Sequence, residues 1–540
     1  MTTDKQHITL YDRVESVLFY SVLLVHLLPI LLTIYFVTSD GPCHLYNAGI
    51  LRDWLLHRDV DFYKQFYSLN HHIDPNWFSH IALAGLLSIF SPVVSEKIFL
   101  GTYIISFMLA VRLLVRQISP ANSWLSFLAF PFIYSHIFQM GFYNYCYSLV
   151  LMIVCIWFYL RYIGKLPMYL FIAVGTLLFL LCFIAHPIGY IILLGTLLGV
   201  VFFQYLSLVG EGKQQFSILV RKIGIALVLN AVPMVLLFLF WVRKTTEHYE
   251  ANTDPFDKKW QSFIHLQSIV NFSNRETDIV SVLPYLFGVL IVVCLFLKLR
   301  SKRLSAYDFF FGVAMGLVYY YFHAPNTAMG GSSIAIRVQY LPFLMLLFWL
   351  ASVPWHSSVR WLSIAAMSVL CAGLIALKLP AHIAASGLVS EYMTALPYIA
   401  PHAVVLPLSY SHQGKNTDGN PIADRAHYFL HAADYMGATQ PLILLDNYEG
   451  DTGYFPLLWL QNKNPFQYLS THEGQENLPP SVAIAAYESK SSVSIDYILL
   501  LCLDHDFIHH PYTLNLLSQL TTYDLIYTSA YKRVLLYKKR

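Results

Sequence analysis

Eleven stretches of this chain are long, apolar and nearly free of charge, and together they dictate its solvent. They run near 17–37, 97–115, 121–137, 142–160, 166–184, 187–208, 222–242, 281–298, 306–322, 338–353 and 359–379. A helix needs about 20 apolar residues to cross the hydrocarbon core of a bilayer. The 540 residues are 57% hydrophobic and only 12% charged, against about 25% charged in an ordinary soluble domain. No single soluble core could hold so much apolar surface. The expected fold class is therefore an α-helical polytopic membrane protein with about 11 transmembrane helices. A further apolar stretch, 77–92, is about 15 residues long and suits an interfacial or re-entrant helix better than a crossing.

The distribution of cations orients these spans. Cytoplasmic turns carry an excess of Lys and Arg. With the N-terminus inside, the inner turns hold Arg112 and Arg116, Arg161 and Lys165, Lys213 with Arg221 and Lys222, the run Lys298–Arg303, and Arg360. The short outer turns are poor in both residues. Counting 77–92 as a full span would put Lys298–Arg303 outside, against that bias. The first apolar run is longer than a signal-peptide core of roughly 7–15 residues and is expected to be retained. The expected localisation is thus a multi-pass protein of an inner or plasma membrane with a cytoplasmic N-terminus.

Beyond residue 379 hydropathy falls. Short β-branched runs, "HAVVLPL" and "DYILLLCL", alternate with helix-like stretches such as "ADRAHYFLHAADYM", and "YDLIYTSAYKRVLLYKK" alternates as a hairpin does. Residues 1–379 read as the transmembrane domain, with a first outer loop over 38–80, and 380–540 as a small α/β domain on the extracytoplasmic side. The seven cysteines are scattered without paired spacing, which supports neither a zinc motif nor a disulfide framework. The formal charge of +3 and the lack of basic tracts interleaved with aromatics give no reason to expect a nucleic-acid partner.

Sorted by side, the polar groups collect outside. The inner turns are short and mostly basic, enough for orientation and too small for a site. Asp40 directly follows the first span, with Gly41 and Pro42 forming a turn. It reads either as a polar stop or as an acid held at fixed depth by a rigid helix. His44 lies four residues on, on the same face if a helix starts at Pro42. Arg337 ends the loop "HAPNTAMGGSSIAIR" at the outer edge of the tenth span. It is either a snorkelling anchor or an anion site, since a guanidinium binds phosphate bidentately. Gly330 and Gly331 would let that loop close over a ligand. Asn144, His186, His323 and His72 complete the candidate substrate-binding set. A cap or core role is the plainer reading of His186, and a turn or interfacial role that of His71, His72 and Asp74.

Three features together resemble the GT-C-type membrane glycosyltransferases, polytopic enzymes that take sugars from polyprenyl-phosphate carriers. One is Asp40 after span one, opening a loop that ends in "DPNWFSHIALAGLLSIFSP". The second is "SEKIFLGTYIISFMLAVRLLVRQ" feeding the next span. The third is a set of many spans followed by an α/β domain ending in "VLLYKKR". The resemblance implies inverting transfer from a polyprenyl-phosphate-linked sugar to a glycan, lipid or protein acceptor. It makes Asp40 the base or acceptor-orienting acid, with His44 beside it, and Arg337 the partner of the lipid phosphate. Many members carry a second acid on the second outer loop. Here "QMGFYNYCYS" offers Asn144 instead, so no metal and no cofactor is expected. The rival classes are a transporter or flippase of a polar or lipid-linked substrate and a non-catalytic envelope scaffold. The spans lack the inverted repeats and broken helices of the former.

Overall fold

The computed structural model describes residues 10–210, 216–244, 249–301, 305–328, 331–425, 427–471, 474–503 and 505–540. Residues 1–9, Lys213, Lys302, Arg303 and Gly330 lie outside the described residues. Among the described residues, eight helices are long and apolar enough to cross a membrane: those beginning at Tyr11, Pro92, Tyr143, Met168, Pro187, Phe216, Arg275 and Ser357. The chain is a multi-pass membrane protein.

Three of the eleven apolar runs take shorter forms. The run near 121–137 is a 3-10 helix, Pro120–Phe132, buried from Asn122 onward and kinked at Asn122. The run near 338–353 gives the ten-residue helix Leu341–Leu350, buried at every position. The run near 306–322 gives Phe309–His323, of 15 residues. Hydropathy cannot separate a lipid-facing helix from one that is apolar all round because it sits inside a bundle. The stretch 77–92 forms the short helix Phe78–Leu87, in keeping with a segment too short to span.

Two buried ion pairs link the spans. Arg112 donates through both Nη atoms to Glu15, at 2.7 Å each, across two packed spans. Lys378 sits 3.4 Å from Glu276 and donates to the carbonyls of Tyr134 and Ile269. An unpaired charge at this depth costs several kcal/mol, so such pairs fix which helices lie side by side.

The last long helix, Ser357–Tyr392, runs unbroken through Pro380 before a mixed five-stranded sheet begins. Its strands are β2 (Val404–Ser409), β3 (Ile443–Leu444), β5 (Tyr497–Leu501), β6 (Tyr523–Thr528) and β7 (Val534–Lys539), in the order β3-β2-β5-β7-β6. β2 pairs in parallel with β3 and β5, while β7 is antiparallel to β5 and closes a hairpin with β6. β2 and β5 are buried at every residue, as expected of central strands covered on both faces. The stretch 423–436 is helical only from Asp434.

The loop after the first span and the C-terminal part of the chain are packed together. β1 (Tyr67–Leu69) in the loop pairs antiparallel with β4 (Leu457–Trp459), Tyr67 opposite Trp459. The helix Gly41–Leu55 is buried along most of its length because residues 433–447 cover it. The amides of Asn47 and Asn447 donate to each other's carbonyl oxygens, both at 2.9 Å. Tyr46 donates to the Leu442 carbonyl at 2.8 Å and accepts from the Leu444 amide at 3.2 Å. These bonds hold the loop against the sheet, and the cavity described next lies between them and the spans.

Candidate active site

Asp40 is the N-cap residue of the Gly41–Leu55 helix, with Pro42 in its first turn. Its own amide donates to the Met140 carbonyl at 3.1 Å, and that of Ser39 to Gln139 at 3.2 Å. Two inter-helix turns are therefore stitched together at this acid. Gly141 makes the stitch possible. Its φ is +82°, and a Cβ there would lie 2.6 Å from the Gly41 nitrogen and 2.7 Å from that of Asp40. Such a φ is costly for residues other than glycine. The Asp40 carboxyl makes no capping bond to its own helix and faces a cavity of about 760 Å³. Burial pushes its pKa up to about 6, opposed by His44 and the Tyr448 hydroxyl.

Arg337 reaches the same cavity from the short helix Ile334–Val338. It is buried, and among the described residues its guanidinium hydrogen-bonds only to the Ser332 carbonyl (Nε, 2.9 Å) and His186 Nε2 (Nη1, 3.1 Å). It stacks over the Phe142 ring at 4.2 Å, a cation–π contact that holds the planar group without neutralising it. Burial, with the neighbouring guanidinium, depresses the His186 pKa well below its usual value. His186 is thus a neutral acceptor that orients the arginine.

Below these polar groups the walls change character. Ile188, Ile191 and Leu194 of the helix Pro187–Gly210 face Met234, Phe238 and Trp241 of Phe216–Lys244. Ile191, Met234, Phe238 and Trp241 are exposed, so this end of the cavity opens sideways along two apolar helices. The opposite wall comes from the C-terminal part: His427, His431, Tyr448, Phe455 and Glu476. Burial raises the Glu476 pKa to about 7, with Asp40 adding to it, and lowers that of His431 to about 3.

The structure brings together five of the seven residues singled out from sequence: Asp40, His44, Asn144, His186 and Arg337 all line this cavity. Asn144 is already engaged, its Oδ1 accepting from the Ser79 amide at 2.7 Å and its Nδ2 donating to the Asn76 carbonyl at 2.9 Å. Its role there is to clamp the first loop to the helix Tyr143–Tyr162. His72 and His323 lie elsewhere. His72 is exposed on a turn with its backbone amide donating to Asn70. His323 is exposed at its helix end, bonded to the Tyr319 carbonyl and stacked on that ring. Neither fits a substrate-binding role in this cavity, because position in a loop near the right face does not aim a side chain. Asp74, read as a turn residue, pairs with Arg243 and accepts from Asn70, which ties the C-terminal end of the helix Phe216–Lys244 to the first loop.

Sequence reasoning missed the acids and histidines that approach from afar. His44 Nδ1 donates to Glu449 Oε1, and His80 Nε2 donates to Glu449 Oε2 at 2.7 Å. Burial alone would raise the Glu449 pKa, but the two imidazoles outweigh it and bring it to about 2. The only signal for His80 was a lone histidine in an apolar helix; Glu449 carried none.

No protein-family model and no curated relative matches the sequence. Among solved structures the chain is similar to ArnT from Cupriavidus metallidurans, in the apo state at 12% identity and bound to undecaprenyl phosphate at 11%. Each alignment covers 97% of both chains, with a TM-score of 0.38. A superposition that loose carries no inference about chemistry, so the chemistry of this site follows from its own residues.

Proposed function

We propose that the chain is a membrane glycosyltransferase that moves a sugar from a polyprenyl-phosphate carrier to an acceptor at the outer face of the membrane. The observation that carries this reading is the two-ended cavity. A buried arginine with no carboxylate partner among the described residues and a half-buried aspartate occupy its polar end, and two apolar helices flank its open side. A phosphate on a long isoprenoid tail has the same two-ended chemistry.

In this reading the tail lies along Ile191, Leu194, Phe238 and Trp241, and the phosphate meets Arg337. Asp40, ionised above its pKa of about 6, takes the proton of the acceptor hydroxyl as that oxygen attacks the anomeric carbon. The bond from the anomeric carbon to the phosphate oxygen breaks, and the phosphate leaves with the electron pair. Arg337 stabilises the charge that builds on it. Attack opposite the leaving group inverts the anomeric centre. The outer-face placement rests on the cation bias of the turns, and the layout of an acid-bearing first loop, many spans and a terminal α/β domain agrees with the GT-C resemblance.

The test is transfer of radiolabel from a purified polyprenyl-phosphate sugar to envelope acceptors by the protein in liposomes. Transfer that requires Asp40 supports the reading. Movement of the labelled lipid between leaflets without loss of its sugar would instead make the chain a flippase.

A further inference from the structure

His44, His80 and Glu449 come from three segments, and the transfer chemistry above uses none of them. His44 sits in the second turn of the Gly41–Leu55 helix, His80 in the first turn of Phe78–Leu87, and Glu449 opens the short helix Glu449–Thr452. Their exposures are 3%, 0% and 1%. One ligand atom from each residue lies within 4.8 Å of the other two. The imidazoles meet nearly edge-on, with ring centroids 5.0 Å apart, and each offers a nitrogen to a different oxygen of the one carboxylate.

We propose that His44, His80 and Glu449 bind one divalent transition-metal ion of the zinc class. Two imidazoles and a carboxylate are the donors that zinc prefers among nitrogen and oxygen ligands. Three protein ligands leave a fourth position open. His44 and Phe455, which pack against each other at 5.7 Å, both line the cavity, so one of the three ligands belongs to its wall. The outer contacts suit ligating histidines. The second nitrogen of His44 faces the Gly141 carbonyl, and His80 Nδ1 lies 3.4 Å from Ser79 Oγ. Such partners fix the tautomer and ring orientation of a metal-bound imidazole.

The ion also explains the fastening of the C-terminal part to the first loop. Two ligands belong to the loop and one to the segment that follows β3, next to Asn447, which already bonds to Asn47. A bound divalent cation replaces the protons that otherwise sit between the carboxylate and the two rings. It thereby joins residues 44 and 449 by bonds that water does not compete for. This inference does not depend on the sugar-transfer reading, because the ion is bound in the absence of any substrate.

The full chain, purified in detergent, is stripped with a chelator and titrated with Zn²⁺ or Co²⁺ alone. The expected result is one equivalent per chain, with the visible ligand-field bands of four- or five-coordinate cobalt and histidine scattering in its X-ray absorption spectrum. Since even outer-sphere partners are worth 10–100-fold in affinity, His80→Gln and Glu449→Gln are expected to bind roughly a hundredfold more weakly or worse. His71→Gln, at an exposed histidine of the same loop, is expected to bind as the wild type does. Wild-type affinity no better than that of Glu449→Gln would overturn the proposal, as would full retention of the metal by both variants. If the variants do not fold, the wild-type cobalt spectrum decides: absence of histidine scattering overturns it.

Discussion

The Arg337 guanidinium donates to His186 Nε2 across 3.1 Å, a cation oriented by a neutral base instead of a carboxylate. A carboxylate in that place would neutralise the arginine and leave little for a ligand. An imidazole fixes its direction and leaves its charge available.

Arg337→Ala is therefore expected to raise the KM for the lipid-linked donor by about 10- to 100-fold, the worth of a charge-assisted hydrogen bond of roughly 1.5–3 kcal/mol. Arg337→Lys restores the charge and not the planar fork, and recovers only part of the loss. His186→Ala, which removes the orienting bond and leaves the guanidinium in place, is expected to raise KM by less than Arg337→Ala does. Donor saturation curves for the three variants measure this, and equal KM values across them would remove Arg337 from the donor site.

Asp40→Asn keeps the shape of the N-cap residue and loses the base. Its kcat is expected to fall by about 10²–10⁴-fold with the protein still folded. For the wild type, kcat/KM is expected to rise with pH and level off above about 6, where burial has placed the Asp40 pKa. The sign follows from the need for the ionised form: protonation below that pH removes the base. A rate profile in which the variant keeps the same acid limb would assign it to another group.

Gly141→Ala tests the stitch between the two turns at Asp40 and Gly141. The substitution forces a φ of +82° on a residue with a Cβ and drives that carbon to 2.6 Å from the Gly41 nitrogen. The conformation alone costs about 1–2 kcal/mol, and the contact moves Asp40. A lowered melting temperature in detergent is expected together with loss of transfer. Wild-type values of both would show that the turns tolerate separation.

Asp434 and Asp446 form a buried pair of carboxyl groups that face each other. Burial raises both pKa values well above the carboxylate range, with each other's charge adding for Asp434 and that of Glu476 for Asp446. The folded chain then holds protons that the unfolded chain releases near pH 4. Stability is full below that pH and falls as pH rises through the folded-state values. Asp446→Asn supplies a neutral side chain of the same size. Its melting temperature is expected to change less between pH 6 and about 8.5 than that of the wild type, and to exceed it at the upper end. Parallel curves would exclude the pair as the cause.

Much of the membrane part was legible because it answers to a one-dimensional rule. A run such as Met168–Ala185 is a span by length and composition, whatever surrounds it. The rule does not say what an apolar helix faces: Leu341–Leu350 is enclosed at every position. The strands β2, β5, β6 and β7 were readable from β-branched runs and alternation. The stretch 423–436 was not, since a helical pattern of apolar residues there packs as turns.

The sequence by itself determined a multi-span helical protein with an acid after its first span and an arginine before a late one, because spacing and charge are local properties. Only the tertiary structure decided that Asp40, His186 and Arg337 share one cavity, that His72 and His323 do not enter it, and that Glu449 reaches back some 400 positions to His44. Those facts depend on which helices pack and where the sheet docks. Buried pairs such as Glu15–Arg112 and bonds such as Asn47–Asn447 settle that, between residues whose distance along the chain says nothing of their distance in space.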